Sequence, residues 1–178
     1  VGVVTVRDDD VLVHSSSHAD PEARFVKVHE IIIKYGATHV PSILCGDIQV
    51  FPGTIKYIKA EMALGRMAPQ LHGWRHVDYG KMTEQEADTD LGRCVDWFNN
   101  TFGQPPSIFY TPWGADSPLL RTLAEKHSMK LVGVDGTVIP HHIRKDPDKF
   151  RGQDVEIFIH WWQGVNRLQT ALEIVTNG

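Results

Sequence analysis

Cysteine is scarce in this chain: Cys45 and Cys94 are the only two in 178 residues. Two cannot make a disulfide framework, so each is read as a small buried hydrophobe. Long apolar runs are missing too. No stretch approaches the ~18 residues that a membrane-spanning helix needs, and no basic-then-apolar leader opens the sequence as given. The expectation is a soluble protein without a membrane span, with the cytoplasm favoured as its compartment. Positive charge is not in excess either. Eighteen Lys and Arg stand against 22 Asp and Glu, for a net charge of −4 and a pI near 6.2, and no Lys/Arg stripe is visible. This excludes the basic field on which nucleic-acid binding depends.

What is present suits one globular domain over residues 1–178, with 42% hydrophobic residues to fill a core. Strands and helices alternate. Val3–Val6 reads as a buried strand. Asp20 and Pro21 open a helix with Phe25, Val28, Ile32 and Tyr35 as its stripe and Gly36 at its end. His39–Leu44 reads as a strand, which Pro41 marks as irregular or at an edge. A helix from Thr54 to Gly65, a strand Met67–Leu71 and a helix opened by the Thr83/Glu86 capping box follow. Strand Ser107–Tyr110, a helix opened by Ser117 and Pro118 with Leu119, Leu120 and Leu123 inward, and strand Lys130–Val134 come next. Thr137–Gln153 reads as a long polar loop. Strand Val155–Ile159 and a helix packing Val165, Leu168, Leu172 and Val175 close the chain. Such alternation predicts parallel strands in a β/α layer or barrel, with working groups at the strands' carboxyl ends. Asp8, Asp9, His72, Pro112 and His160 all fall directly after predicted strands.

The stretch Gln70-Leu71-His72-Gly73-Trp74-Arg75-His76 sets two imidazoles four positions apart. On one helical turn they would share a side, with Cβ atoms about 5–6 Å apart, and converge on one ion. A third ligand can come from Arg7-Asp8-Asp9-Asp10, where three carboxylates crowd at a strand exit. One Asp and two His can hold a divalent ion, leaving another Asp as a base. The bland alternative is an acidic turn that caps backbone groups. His160 gains weight from its strand-exit position. His14 and His18 repeat the spacing, but in a Ser-rich loop, and are read as surface. Trp74, Trp113, Trp161 and Trp162 lie in or beside these motifs, as core aromatics or as cleft walls for a sugar ring or an acyl methyl.

Asp-Asp after the first strand, then His-Gly-Trp-Arg-His, Tyr110-Thr111-Pro112-Trp113-Gly114 and Ile157-Phe158-Ile159-His160 resemble, in order, the motif series of the polysaccharide deacetylase family. The family carries an Arg where Tyr110 stands. Its Asp-Trp element before the last His has no clear counterpart, Asp135 being the nearest acid. The resemblance implies a distorted (β/α) barrel with fewer than eight strands. It also implies a metal-dependent hydrolase that removes acetyl groups from a carbohydrate, N-acetyl ahead of O-acetyl. In that scheme Asp9, His72 and His76 bind the ion, Asp8 is the base and His160 the acid. The Trp113 backbone N–H holds the oxyanion, while Pro112, Tyr110, Trp74, Phe158 and Trp161 shape the substrate site. Zinc is the expected ion, and cobalt, nickel or iron suit the same ligands. With no Arg at position 110, Arg75 is expected to balance the carboxylates, with Arg7 as the other choice; the extra Asp10 allows the register to shift by one. The alternatives are a catalytically impaired carbohydrate-binding protein and an amidohydrolase of a small non-sugar amide.

Overall fold

The computed structural model of the chain describes residues 2–12 and 19–177, so His14 and His18 lie outside the described residues. Six strands, β1 (Val4–Asp9), β2 (Thr38–Leu44), β3 (Gln70–Gly73), β4 (Ile108–Tyr110), β5 (Lys130–Val132) and β6 (Val155–His160), form one sheet in the order β5-β4-β3-β2-β1-β6. All paired strands are parallel. The sheet curls into a half-barrel flanked by helices, as the alternation predicts.

Three helices match their sequence signals closely. In α1 (Pro21–Lys34) the Asp20 carboxylate accepts from the Ala23 N–H, and Pro21 takes the first turn. In α3 (Glu84–Phe102) both halves of the Thr83/Glu86 capping box form, a device that typically contributes about 1 kcal/mol. In α4 (Pro118–Lys126) the Ser117 hydroxyl accepts from the Leu120 N–H. Leu119, expected inward, is exposed because the buried stripe runs through Leu120, Leu123 and Ala124.

Two expectations are corrected. Of the two positions that Pro41 suggests, irregular or edge, the edge is wrong and the irregularity holds: β2 lies between β1 and β3, and its pairing with β3 is irregular. The His39 N–H and carbonyl bond to Arg66 and Ala68 on the β3 side, and alternation turns position 41 to the same side. There the β2–β3 ladder lapses until Ser42 meets Gln70, so the missing N–H falls in a gap. Thr137–Gln153 is not one loop. It holds two short helices, α5 (Pro140–Lys145) and α6 (Pro147–Phe150), each with proline in its first turn.

Two apolar clusters fill the space between sheet and helices. Phe25, Ile43, Leu71, Leu91, Phe98, Phe109 and Leu131 belong to one; Val4, Val6, Val28, Ile32, Ile157, Leu168 and Leu172 to the other. Helices α2 (Pro52–Ala63) and α7 (Val165–Thr176) complete the covering layer. Strand alternation then puts Thr5, Arg7 and Asp9 of β1 and Glu156, Phe158 and His160 of β6 on the opposite, concave face. That face carries the polar chemistry.

Candidate metal centre and cleft

Asp10 follows β1 directly, with φ near 58°, a left-handed conformation that Asp tolerates better than most residues. This turn separates its carboxylate from those of Asp8 and Asp9. Oδ1 of Asp10 lies 2.8 Å from His72 Nε2 and 2.9 Å from His76 Nε2, while Oδ2 lies 3.5 Å from His160 Nε2. Ligand atoms of Asp10, His72 and His76 all fall within 4.8 Å of one another. The two rings converge without the expected helical turn. His72 is the third residue of β3, Gly73 ends the strand with φ +109°, and the bend that follows carries His76 back, with ring centroids 5.4 Å apart. A side chain at Gly73 would strike the Tyr79 hydroxyl at 2.7 Å.

The donor set fits a divalent cation. His72 Nδ1 sits 2.7 Å from the Tyr110 carbonyl oxygen, which only accepts, so Nδ1 carries a proton and the neutral ring presents its lone pair at Nε2. That lone pair faces a carboxylate oxygen, and a cation resolves the pairing. Burial opposes ionisation of Asp10, but without a metal the protonated forms of the neighbouring His72 and His76 rings outweigh it and hold the carboxyl well below its usual range. The bond to Asp10 in turn raises the basicity of His76.

Asp9 is held differently. Arg7 Nε and Nη2 donate to its two oxygens at 2.8 and 2.5 Å, and Ser42 Oγ adds a bond of 2.6 Å. Arg7 is wholly buried. Asp8 faces the other side of β1, 3.3 Å from His39 Nε2, and is not brought to the His72/His76 cluster. Burial first, and then the neighbouring Asp9 and Asp10 charges, push the Asp8 carboxyl well above its ordinary value. The expected pair Asp8 and Asp9 is thus displaced by one: the structure gathers Asp9 and Asp10.

A cleft of about 580 Å³ opens over these groups, bordered also by Thr111, Trp113, Gly114, Val134, Phe158, His160 and Trp162. Trp113 is 72% exposed, has φ +58°, and packs its ring 5.0 Å from that of His76. Across the cleft Trp162 stacks on His160 at 4.7 Å. The backbone N–H of His160 donates to Gln163 Oε1, so the amide nitrogen faces His160 Nδ1 at 3.2 Å. A neutral His160 therefore keeps its proton on Nε2, toward Asp10. Burial lowers the basicity of this ring, with Asp10 and Asp9 opposing.

Several expected residues stand elsewhere. Trp161 is fully buried because β6 alternation turns it away from the cleft, and Trp162 takes its place. Trp74 packs beneath Arg93, 4.0 Å from its guanidinium, against the core. Tyr110 is buried and supports Arg7 rather than lining the cleft, and Pro112 is buried at the turn that presents Trp113. Arg75 is two-thirds exposed and pairs with Asp47 at 2.9 Å, so it does not balance the carboxylates; Arg7 does. Sequence reading missed Ser42 and Gln163, and left open which tryptophan after His160 walls the cleft. Gln163 and Trp162 follow His160 within three residues, but Ser42 carries no signal without the β1–β2 register.

No curated protein sequence gives a significant match. Solved structures do. The family 4 carbohydrate esterase from Streptomyces lividans, in complex with acetate, superposes with a TM-score of 0.68 at 17% identity, over 99% of this chain and 86% of that one. Peptidoglycan deacetylase PdaC from Bacillus subtilis gives 0.68 at 20%, over 99% and 82%. BA3943, a CE4 family pseudoenzyme from Bacillus anthracis, gives 0.70 at 14%, and this chain, 98% of it aligned, spans 60% of that protein. A BA3943 mutant with restored enzymatic activity gives 0.70 at 14%, with 98% of this chain aligned over 62% of that one. Identities this low establish the fold alone. A family model described as polysaccharide deacetylase matches residues 27–132, more than half of the sequence, and the chain belongs to the polysaccharide deacetylase family.

Proposed function

We propose that this protein hydrolyses acetyl groups from a carbohydrate, N-acetyl in preference to O-acetyl, with a divalent ion held by Asp10, His72 and His76. Zinc suits this set of one carboxylate and two imidazoles. Bound there, such an ion supplies Lewis acidity toward a carbonyl oxygen and lowers the pKa of water. The protein's own groups do the rest. Asp9, held in place by the Arg7 fork, takes the proton from the attacking water. The Trp113 backbone N–H donates to the developing oxyanion. His160, in its imidazolium form, delivers its Nε2 proton to the leaving amine and returns to the neutral ring. Trp113 and Trp162 offer aromatic faces to a sugar ring, and Phe158 walls the side where the acetyl methyl packs.

The observation that carries this reading is the pairing of two different carboxylate environments at one strand end. Asp10 is exposed to two convergent imidazoles, and Asp9 is locked by a guanidinium and a hydroxyl beside it. A pure binding protein has little use for an oriented base and acid flanking such a centre. The test is acetate release, with zinc or cobalt added, from chito-oligosaccharides, peptidoglycan fragments and acetylated xylan. Release from an N-acetylated substrate supports the proposal. Metal binding with no release from any of the three overturns it in favour of a silent binding protein.

A further inference from the structure

The Arg7 guanidinium is among the most enclosed polar groups in the protein, at 0% exposure. Three of its N–H positions are used: Nε and Nη2 on Asp9, and Nη1 on the Gly133 carbonyl at 2.8 Å. Its faces are covered as well. The Tyr110 ring lies 4.0 Å from the guanidinium carbon and the Phe158 ring 4.9 Å. Tyr110 is itself tied down, its hydroxyl donating to Glu156 at 3.0 Å. Strands β1, β4 and β6 thus clamp one planar cation, and that cation clamps the carboxylate plane of Asp9.

We infer that Arg7 is the positioning residue for Asp9, and that Tyr110 acts as its stacking lid, so that positions 7 and 110 form one exchangeable Arg–aromatic pair serving the base. The inference rests on the function proposed above. Neutralising Asp9 needs only a positive charge, and Lys would supply it. Fixing the carboxylate plane needs two parallel N–H donors, which Lys cannot offer. The 4.0 Å contact also means that a guanidinium carried by β4 occupies nearly the same volume as one carried by β1. Exchanging the two residues conserves the packed volume.

Three variants test this: Arg7→Lys, Arg7→Tyr, and the exchange Arg7→Tyr/Tyr110→Arg. For each, zinc binding to the metal-free protein is measured by calorimetry, kcat and KM for acetate release are determined separately, and the crystal structure is solved. In Arg7→Lys zinc affinity and KM stay within about threefold while kcat falls about 10²-fold, the scale of a misplaced catalytic group. Its structure shows the Asp9 carboxylate rotated from its present plane. The exchange variant regains at least tenfold in kcat over Arg7→Tyr and returns Asp9 to a bidentate pair. Wild-type kcat in Arg7→Lys with Asp9 unmoved overturns the inference, as does an exchange variant that folds and binds zinc yet is no better than Arg7→Tyr. Should the wild type release no acetate at all, the proposed reaction fails, and the orientation of Asp9 in the Arg7→Lys structure still decides the role of Arg7.

Discussion

The two faces of β1 make opposite uses of the same chemistry. On the concave side Asp9 meets Arg7 and Ser42 and borders an open cleft. On the other side Asp8 meets His39, whose Nδ1 lies 3.2 Å from His29 Nδ1, and His29 Nε2 lies 3.0 Å from Glu61. That second chain, Asp8–His39–His29–Glu61, ends at Arg66 on the surface. Both hold carboxylates beside nitrogen bases under heavy burial. They differ in what the burial favours. Asp9 is offered a permanent cation. Asp8 is offered an imidazole whose own basicity burial pulls far down, so neither partner is stabilised in its charged form. Only the first arrangement sets a carboxylate gripped by a cation beside the Asp10, His72 and His76 cluster. The second is read as a polar seam, neutral at Asp8 and His39, within the packed layer between sheet and helices.

The largest effects expected lie on the concave face. Asp10→Asn abolishes acetate release together with metal binding. Asp9→Asn keeps the metal and loses about 10²–10⁴-fold in kcat, the usual contribution of a general base. Asp8→Asn stays within a few fold of wild type in kcat/KM. Parallel assays of the three variants break the comparison if Asp8→Asn is the inactive one.

Stability sharpens the contrast in the opposite direction. The folded Asp8 carboxyl is raised above its unfolded value, so it favours the folded state fully below about pH 4 and works against it as pH rises. Asp8→Asn mimics the protonated acid. It should therefore raise Tm at pH 7.5, and the gain should vanish toward pH 4. Scanning calorimetry at the two pH values checks this, and a lowered Tm at pH 7.5 would refute the neutral-seam reading.

A smaller effect comes from the histidines of the seam. His29 and His39 are depressed by burial, His39 the more strongly. The unfolded chain takes up protons below about pH 6.5 that the folded chain refuses, so stability falls as pH drops through that range. His39→Gln should flatten the loss of Tm between pH 7 and 5. Equal slopes in variant and wild type would show that His39 is not held neutral. The smallest effect is at Arg75. Exposed and paired only with Asp47, it belongs to the class of surface ion pairs worth about 0–1 kcal/mol. Arg75→Met should leave metal content unchanged and kcat/KM within about twofold, and a larger drop would restore it to the site.

Strand–helix alternation, the caps at Asp20, Thr83 and Ser117, and the strand-exit placement of His72 and His160 were legible because each rests on local chemistry. The register of the three aspartates was not. In Arg7-Asp8-Asp9-Asp10 the strand period says only that Asp8 and Asp9 face opposite ways, and which side is concave depends on β2 and β6 arriving beside β1. The left-handed turn at Asp10 is likewise set by what it must reach. Arg75 looked well placed between two histidines, but the bend after Gly73 throws alternate residues outward. The role of Tyr110 was hidden because its partner lies 103 positions away on another strand.

On the function proposed above, Asp10, and not Asp8 or Asp9, completes the metal centre. Elemental analysis of zinc in purified Asp8→Asn, Asp9→Asn and Asp10→Asn, reconstituted and desalted side by side, tests it most directly. Near-stoichiometric zinc is expected in the first two and little in the third. Full zinc in Asp10→Asn with an empty Asp9→Asn would contradict it.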